Sequence, residues 1–235
     1  MELLHDLAKN MAIDISKRQL EMFEVYYREL VVWNNSVNLT AITDYEDVQI
    51  KHFLDSITLV PYLKHNQKIK VIDIGSGGGF PGVPIKILNP DIELALLEAT
   101  AKKTSFLNHL IGSLQLKETE VICGRAEEKA SDPMFREIYD IALTRAVGAL
   151  TTNLELSLPF CRIGGLSVSY KKVGIEEELE NAKQISSALG GRFESIKLVS
   201  TDIFPDGRIL VFFRKISPTP SKYPRRSGLP SKRPL

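Results

Sequence analysis

The spacing of apolar residues changes near residue 60. Before it they recur three and four apart: Leu20, Phe23, Tyr27 and Leu30 share one helical face, and Ser16 followed by Gln19 has the pattern of a capping box opening that helix. A second helix is expected over 47–59, ending before Pro61. From Lys70 onward short runs rich in Val, Ile and Leu take over. They predict strands at 70–74, 93–98, 118–122, 139–144, 163–170, 193–200 and 207–214, with helical stretches between most of them. That alternation predicts a mostly parallel sheet covered by helices on both faces, an α/β doubly wound class. The last two strands depart from it, because residues 201–207 are too few for a parallel crossover and suit an antiparallel hairpin. The chain therefore divides into N-terminal helices over 1–60, a seven-stranded domain over 61–216 and a remainder over 217–235.

Charge sets that remainder apart. The chain carries +1 overall, yet residues 217–235 hold Lys222, Arg225, Arg226, Lys232 and Arg233 and no acid, leaving −4 on the first 216. They also hold five of the 12 prolines, so an extended, solvated arm is expected. A hydrophobic content of 43% is enough for a core, and no apolar stretch approaches the ~18 residues of a membrane span. Cys123 and Cys161 lie far apart with no Cys/His cluster near them, so neither a disulfide framework nor a metal site is suggested. A soluble, cytoplasmic protein without a membrane partner is the expectation.

The chemistry concentrates where the first strand meets a glycine-dense turn, Asp73-Ile74-Gly75-Ser76-Gly77-Gly78-Gly79-Phe80-Pro81-Gly82. Glycines permit positive φ and close approach of a ligand, and backbone N–H groups opening the next helix are expected to point outward. Such a turn suits either a dinucleotide pyrophosphate or the methionine end of S-adenosylmethionine. Asp73 favours the second, since a carboxylate there repels a diphosphate but can orient the loop and face an ammonium group. In an open parallel sheet ligands sit beyond the carboxyl ends of the strands, and those ends supply the other candidates. Glu98 closes the second strand 23 positions after Gly75, where a carboxylate can accept the hydroxyls of a ribose. The third strand exits through Arg125-Ala126-Glu127-Glu128, the fourth through Arg145 and the fifth through Lys171 and Lys172, which suit either substrate phosphate or solvent.

Two chemistries lack their residues. No Asn-Pro-Pro-aromatic or Asp-Pro-Pro-aromatic tetrapeptide follows the fourth strand to grip an exocyclic amine, and no Pro-Cys nucleophile follows it either. A ring nitrogen remains as an acceptor that requires mainly in-line positioning.

Six blocks occur in an order that is specific: Asn38-Leu39-Thr40-Ala41-Ile42, His52-Phe53-Leu54-Asp55-Ser56, the glycine turn, Arg125 to Glu128, Arg145-Ala146-Val147 and Lys222-Tyr223-Pro224-Arg225-Arg226. Together they resemble the bacterial 16S ribosomal RNA guanine-N7 methyltransferase family, formerly called glucose-inhibited division protein B. The resemblance implies a Rossmann-like class I methyltransferase that transfers methyl from S-adenosylmethionine to N7 of a guanine in the 530 loop, on 16S ribosomal RNA or the small ribosomal subunit, acting as a monomer. It implies donor contacts at Gly75, Phe80, Ala126, Glu127 and Arg145, beside which Asp73, Gly77 and Glu98 stand from the strand-end reading. Arg145 and His52 are the catalytic candidates, although His52 is equally compatible with a packed helix-face histidine. Lys171, Lys222, Tyr223, Arg225 and Arg226 are the RNA-binding candidates, cations for phosphates and a ring for a splayed base. A nicotinamide-dependent oxidoreductase and a non-catalytic RNA-binding module are the competing readings.

Overall fold

The computed structural model describes residues 1–63, 68–199 and 203–235. Helix α1 (Glu2–Asn10) is followed by α2 (Lys17–Val37), whose start carries the expected reciprocal cap: the Gln19 N–H donates to Ser16 Oγ and the Ser16 N–H to Gln19 Oε1. Asn38, at φ 54°, ends α2 in the left-handed region. Asp44 then caps α3 (Tyr45–Val48), which runs on into a π-helical turn over Gln49–Leu54 and α4 (Asp55–Ile57). The helix expected over 47–59 thus starts two residues earlier and is widened where His52 sits, a distortion common at functional sites.

Strand and helix then alternate through β1 (Lys70–Ile74), α5 (Gly82–Leu88), β2 (Glu93–Glu98), α6 (Ala101–Leu114), β3 (Thr119–Cys123), α7 (Ala126–Lys129), β4 (Tyr139–Arg145), α8 (Leu150–Ser157), β5 (Cys161–Lys171), α9 (Glu176–Ser186), β6 (Gly191–Val199) and β7 (Arg208–Lys215). The sheet order is β3-β2-β1-β4-β5-β7-β6, parallel through β5, with β7 antiparallel to both its neighbours. Residues 200–202, at the end of the sixth expected strand and the start of its connection, lie outside the described residues. β1 is buried from its second residue onward because helices cover both faces, which is why it reads as a continuous apolar run. On one face Phe23, Leu30 and Phe53 from the N-terminal helices share a core with Leu96, Ile141 and Leu143, so segment 1–60 is packed onto the sheet. Ile72, Ala95, Leu97 and Phe160 form the core of the other face.

The C-terminal segment corrects the expectation of an extended, solvated arm. Glu155 on α8 is fully buried, and Arg225 meets it with its backbone N–H and with two guanidinium nitrogens at 2.6–3.1 Å. A buried carboxylate needs such a partner, and the basic tail supplies it. Arg136 donates to the carbonyls of Thr219 and Tyr223, Thr152 Oγ1 donates to the Pro230 carbonyl, and a short helix, α10 (Leu229–Lys232), closes the chain. Prolines kept this segment out of the sheet but left its backbone carbonyls free for these donors.

Candidate functional site

The glycine turn is built inward. Gly75, Gly77 and Gly79 have φ of 72°, 55° and 93°, and a Cβ on Gly79 would lie 2.6 Å from the Tyr26 hydroxyl. The N–H groups of Gly75 and Ser76 donate to the Leu97 carbonyl, those of Gly79 and Phe80 to the Ser76 carbonyl, that of Gly77 to Glu98 Oε2 and that of Gly82 to Asp73 Oδ2. The expected outward-pointing N–H groups are therefore already engaged, two of them by carboxylates. A turn whose donors are consumed this way offers little to a pyrophosphate.

The two carboxylates differ. Both Glu98 oxygens accept backbone N–H bonds, from Gly77 and Thr100, and retain lone pairs for further donors. Asp73 is fully buried, and its Oδ1 has no hydrogen-bond partner among the described residues. Burial pushes its carboxyl up to about 7, against the pull of the Gly82 N–H and of Arg145. A buried acid with an unused oxygen suits a cationic group, and the ammonium of S-adenosylmethionine is one. Beyond these strand ends lies a cavity of about 350 Å³, bordered by Gly75, Glu98, Thr100, Gly124, Ala126 and Glu127. The residues present fit the donor: unhindered backbone at Gly75 and acceptors at Glu98 border the cavity, and the buried acid Asp73 lies behind the glycine turn.

A second cavity, also of about 350 Å³, opens over the ends of β4 and β5 and the start of β7. Arg145 lines it on the side facing β1. Its guanidinium donates to Asp55 Oδ2 at 3.0 Å, Ser56 Oγ at 3.2 Å and His52 Nδ1 at 3.2 Å, and it lies 5.2 Å from the Phe80 ring centroid. Asp55 also accepts from Arg208 Nε at 3.0 Å, so one buried carboxylate holds two arginines. Because arginine only donates, His52 Nδ1 is the acceptor and Nε2 carries the proton, which it donates to Thr40 Oγ1 at 2.7 Å. Burial, reinforced by Arg145, lowers the imidazole to about 4. Its ring stacks on Phe80 at 4.5 Å, and Tyr26 stacks on the same ring at 5.2 Å. Lys51, Lys171 and Lys172 also border the cavity; their carboxylate partners, Asp47, Glu178 and Asp206, stand outside its lining.

The family model for rRNA small subunit methyltransferase G matches residues 19–204. The chain belongs to this family. It is 48% identical over 235 residues to the ribosomal RNA small subunit methyltransferase G of Dehalococcoides mccartyi, covering all of this chain and 99% of that protein. It is 41% identical to its namesake in Acetivibrio thermocellus, over all of this chain and 96% of the relative. Among solved structures, TYW2 of M. jannaschii in complex with AdoMet aligns with a TM-score of 0.52 at 16% identity, over 65% of this chain and 71% of that one. MtNAS aligns with a TM-score of 0.56 at 10% identity, over 85% and 74%. At such identities these two likenesses bear on the fold alone.

Within this member of the family, the residues singled out from sequence fall into three places. Asp73, Gly75, Gly77, Glu98, Ala126 and Glu127 gather at the ends of β1 to β3; Arg145, His52 and Lys171 gather around the second cavity, with Phe80 stacked against His52. Lys222, Tyr223, Arg225 and Arg226 lie on the C-terminal segment, outside the lining of either cavity. Arg225 is occupied by Glu155, and Tyr223 is half-buried. Glu127 Oε1 accepts from the Gly228 N–H at 2.7 Å. Sequence reasoning missed Tyr26, Tyr170 and Arg208. Arg208 opens β7, the antiparallel strand, whose first residue and not its last lies at the carboxyl edge of its neighbours; reading that strand from its start would have found it.

Proposed function

We propose that the chain methylates N7 of a guanine in the 530 loop of 16S ribosomal RNA. Membership of its family makes it an S-adenosylmethionine-dependent methyltransferase of small-subunit ribosomal RNA; the base, the atom and the residues involved are our reading. The observation that carries it is the division of one sheet edge into an acid-lined cavity beside the glycine turn and an arginine- and lysine-bordered cavity next to it. When bound, the donor supplies an electrophilic methyl on a sulfonium, and this chain supplies position: Asp73 for the ammonium, Glu98 for the ribose hydroxyls, and Arg145 for an RNA phosphate or the base. A guanine N7 lone pair is already free of protons, so no general base is needed, in keeping with an imidazole held neutral down to about pH 4. His52 then acts by orienting Arg145 through Nδ1.

The substrate is read as ribosomal RNA or the small subunit, approached by a monomer in the cytoplasm; among the described residues no helix is long and apolar enough to cross a membrane. Incubating the protein with labelled donor and 16S ribosomal RNA lacking the modification, free or in subunits, tests all of this. Label at N7 of one guanine in the 530 loop is the expected result; label elsewhere, or none in either substrate, overturns the proposal. The nicotinamide reading is disfavoured by the inward N–H groups of the turn, and donor binding separates an enzyme from a passive RNA-binding module.

A further inference from the structure

The cavity at the ends of β1 to β3 has a wall that does not come from the sheet. Ser231, four residues from the C-terminus, borders it together with residues of the Gly124–Glu127 turn. We propose that the C-terminal segment is part of the methyl-donor site, with Ser231 closing the nucleoside side of the pocket. This rests on the reading of that cavity as the S-adenosylmethionine site.

Four independent contacts hold the segment in place. The Arg225–Glu155 ion pair fixes its start to α8, and the Pro230 carbonyl accepts from Thr152 Oγ1 on the same helix at 2.9 Å. Between them the Gly228 N–H donates to Glu127 Oε1 at 2.7 Å and Ser227 Oγ donates to Glu128 Oε1 at 2.9 Å. Gly228 sits at φ 78° with open space where a Cβ would be, so it is a glycine for its backbone, which delivers that N–H to Glu127. Glu127 is nearly buried, and with one oxygen fixed by the tail the direction of the other is fixed too. The tail therefore shapes the pocket twice, directly at Ser231 and indirectly through Glu127. The glycine turn follows β1 and the Gly124–Glu127 turn follows β3, on opposite sides of this cavity, and the tail's bonds to Glu127 and Glu128 put its end on the second side, toward the nucleoside and away from the amino acid.

Ser231 is exposed, so a large side chain there can be introduced without opening the core. Full-length Ser231→Trp and, as a control on the same tail but outside the cavity, Ser221→Trp are titrated calorimetrically with S-adenosylmethionine and with 5′-methylthioadenosine. Ser231→Trp is expected to raise both Kd values at least about tenfold with an unchanged ligand-free Tm, while Ser221→Trp binds as the parent protein does. Should tryptophan lower the Tm, Ser231→Leu carries the same test. Parent-like or tighter binding by the Ser231 variant, or equal weakening by both variants, overturns the proposal. Failure of the parent protein to bind the donor would instead remove the reading of the cavity on which it rests.

Discussion

The two cavities along the carboxyl edge of the sheet are of equal size and adjoin each other at the junction of β1 and β4, yet their charge is opposite. Over β1 to β3 the ends carry Asp73, Glu98 and Glu127 against one bordering cation, Arg125, and turn donors that might have bound an anion are spent on Asp73, Glu98 and backbone carbonyls. Over β4, β5 and β7, among the described residues, five cations and one acid, Asp55, border the space. Lys51 and Lys172 are tied to carboxylates in exposed pairs, worth only about 0–1 kcal/mol each, so a phosphate can replace those partners at small cost, whereas Lys171 is held more deeply by Glu178 and the Gly148 carbonyl. On the proposed reading, a cationic donor and a polyanionic acceptor are directed to neighbouring places before they meet. Arg145, on the boundary, is where the comparison breaks most easily. Arg145→Ala is expected to lower turnover on ribosomal RNA by about 100-fold, the scale of a misplaced reactant. It also removes one of the two partners of buried Asp55, so the double variant Arg145→Ala/Asp55→Ala is the companion: it should recover Tm relative to the single variant without recovering methyl transfer. Turnover at the parent rate in either variant would detach Arg145 from the site.

The tail sharpens the same contrast with a somewhat smaller effect. Of its five cations only Lys222, Arg226, Lys232 and Arg233 are exposed, Arg225 being committed to Glu155. Replacing those four with alanine is expected to reduce the log–log salt slope of RNA binding by up to ~2.8, at ~0.7 per phosphate contact, which is about 50-fold in affinity change between 50 and 200 mM salt. Arg225→Ala should leave the slope alone and lower Tm, because it strands a buried carboxylate. An equal loss of slope from Arg225→Ala would return that residue to the RNA.

The tail also marks where sequence reading stopped. Strand positions were legible to within about two residues because both faces of β1, β2 and β4 are covered and leave uninterrupted apolar runs. Ser16 and Gln19 were legible because a capping box is local. Contacts between distant segments were not: nothing near Glu155 in sequence says that it is buried, and nothing near Arg225 says what it meets 70 residues away. The partnering of His52 with Thr40, and of Asp55 with Arg208 153 residues on, is hidden for the same reason. The inward N–H groups of the glycine turn were misjudged because a glycine pattern specifies backbone freedom without specifying which acceptors the freed backbone finds.

Asp73 offers the finest division between the two cavities, since its role depends on charge alone. Its Oδ2 holds the Gly82 N–H, and among the described residues its Oδ1 is unpartnered. Asp73→Asn can keep an oxygen on Gly82 while losing the charge, so the turn should persist and donor affinity should fall by about 30-fold, the ~2 kcal/mol of a charge-assisted hydrogen bond. The sign of the proton exchange follows from burial. With a carboxyl raised to about 7, the free protein holds a proton there at mildly acidic pH, and an incoming ammonium favours the ionised form and lowers that value. Binding should therefore release a proton below about pH 7, and the release should fade as pH rises above it, where the group is already ionised. The same raised value means that, in the ligand-free protein, Asp73 contributes stability at low pH that is lost as pH rises from about 4 toward 7, and Asp73→Asn should flatten that loss. Calorimetric titration of S-adenosylmethionine at pH 6 in two buffers of different ionisation enthalpy reads the proton count. A net release in the parent protein that disappears in Asp73→Asn places the donor's cation against this carboxylate, whereas identical buffer dependence in both moves the cation elsewhere and leaves the acidity of this edge without a ligand to explain it.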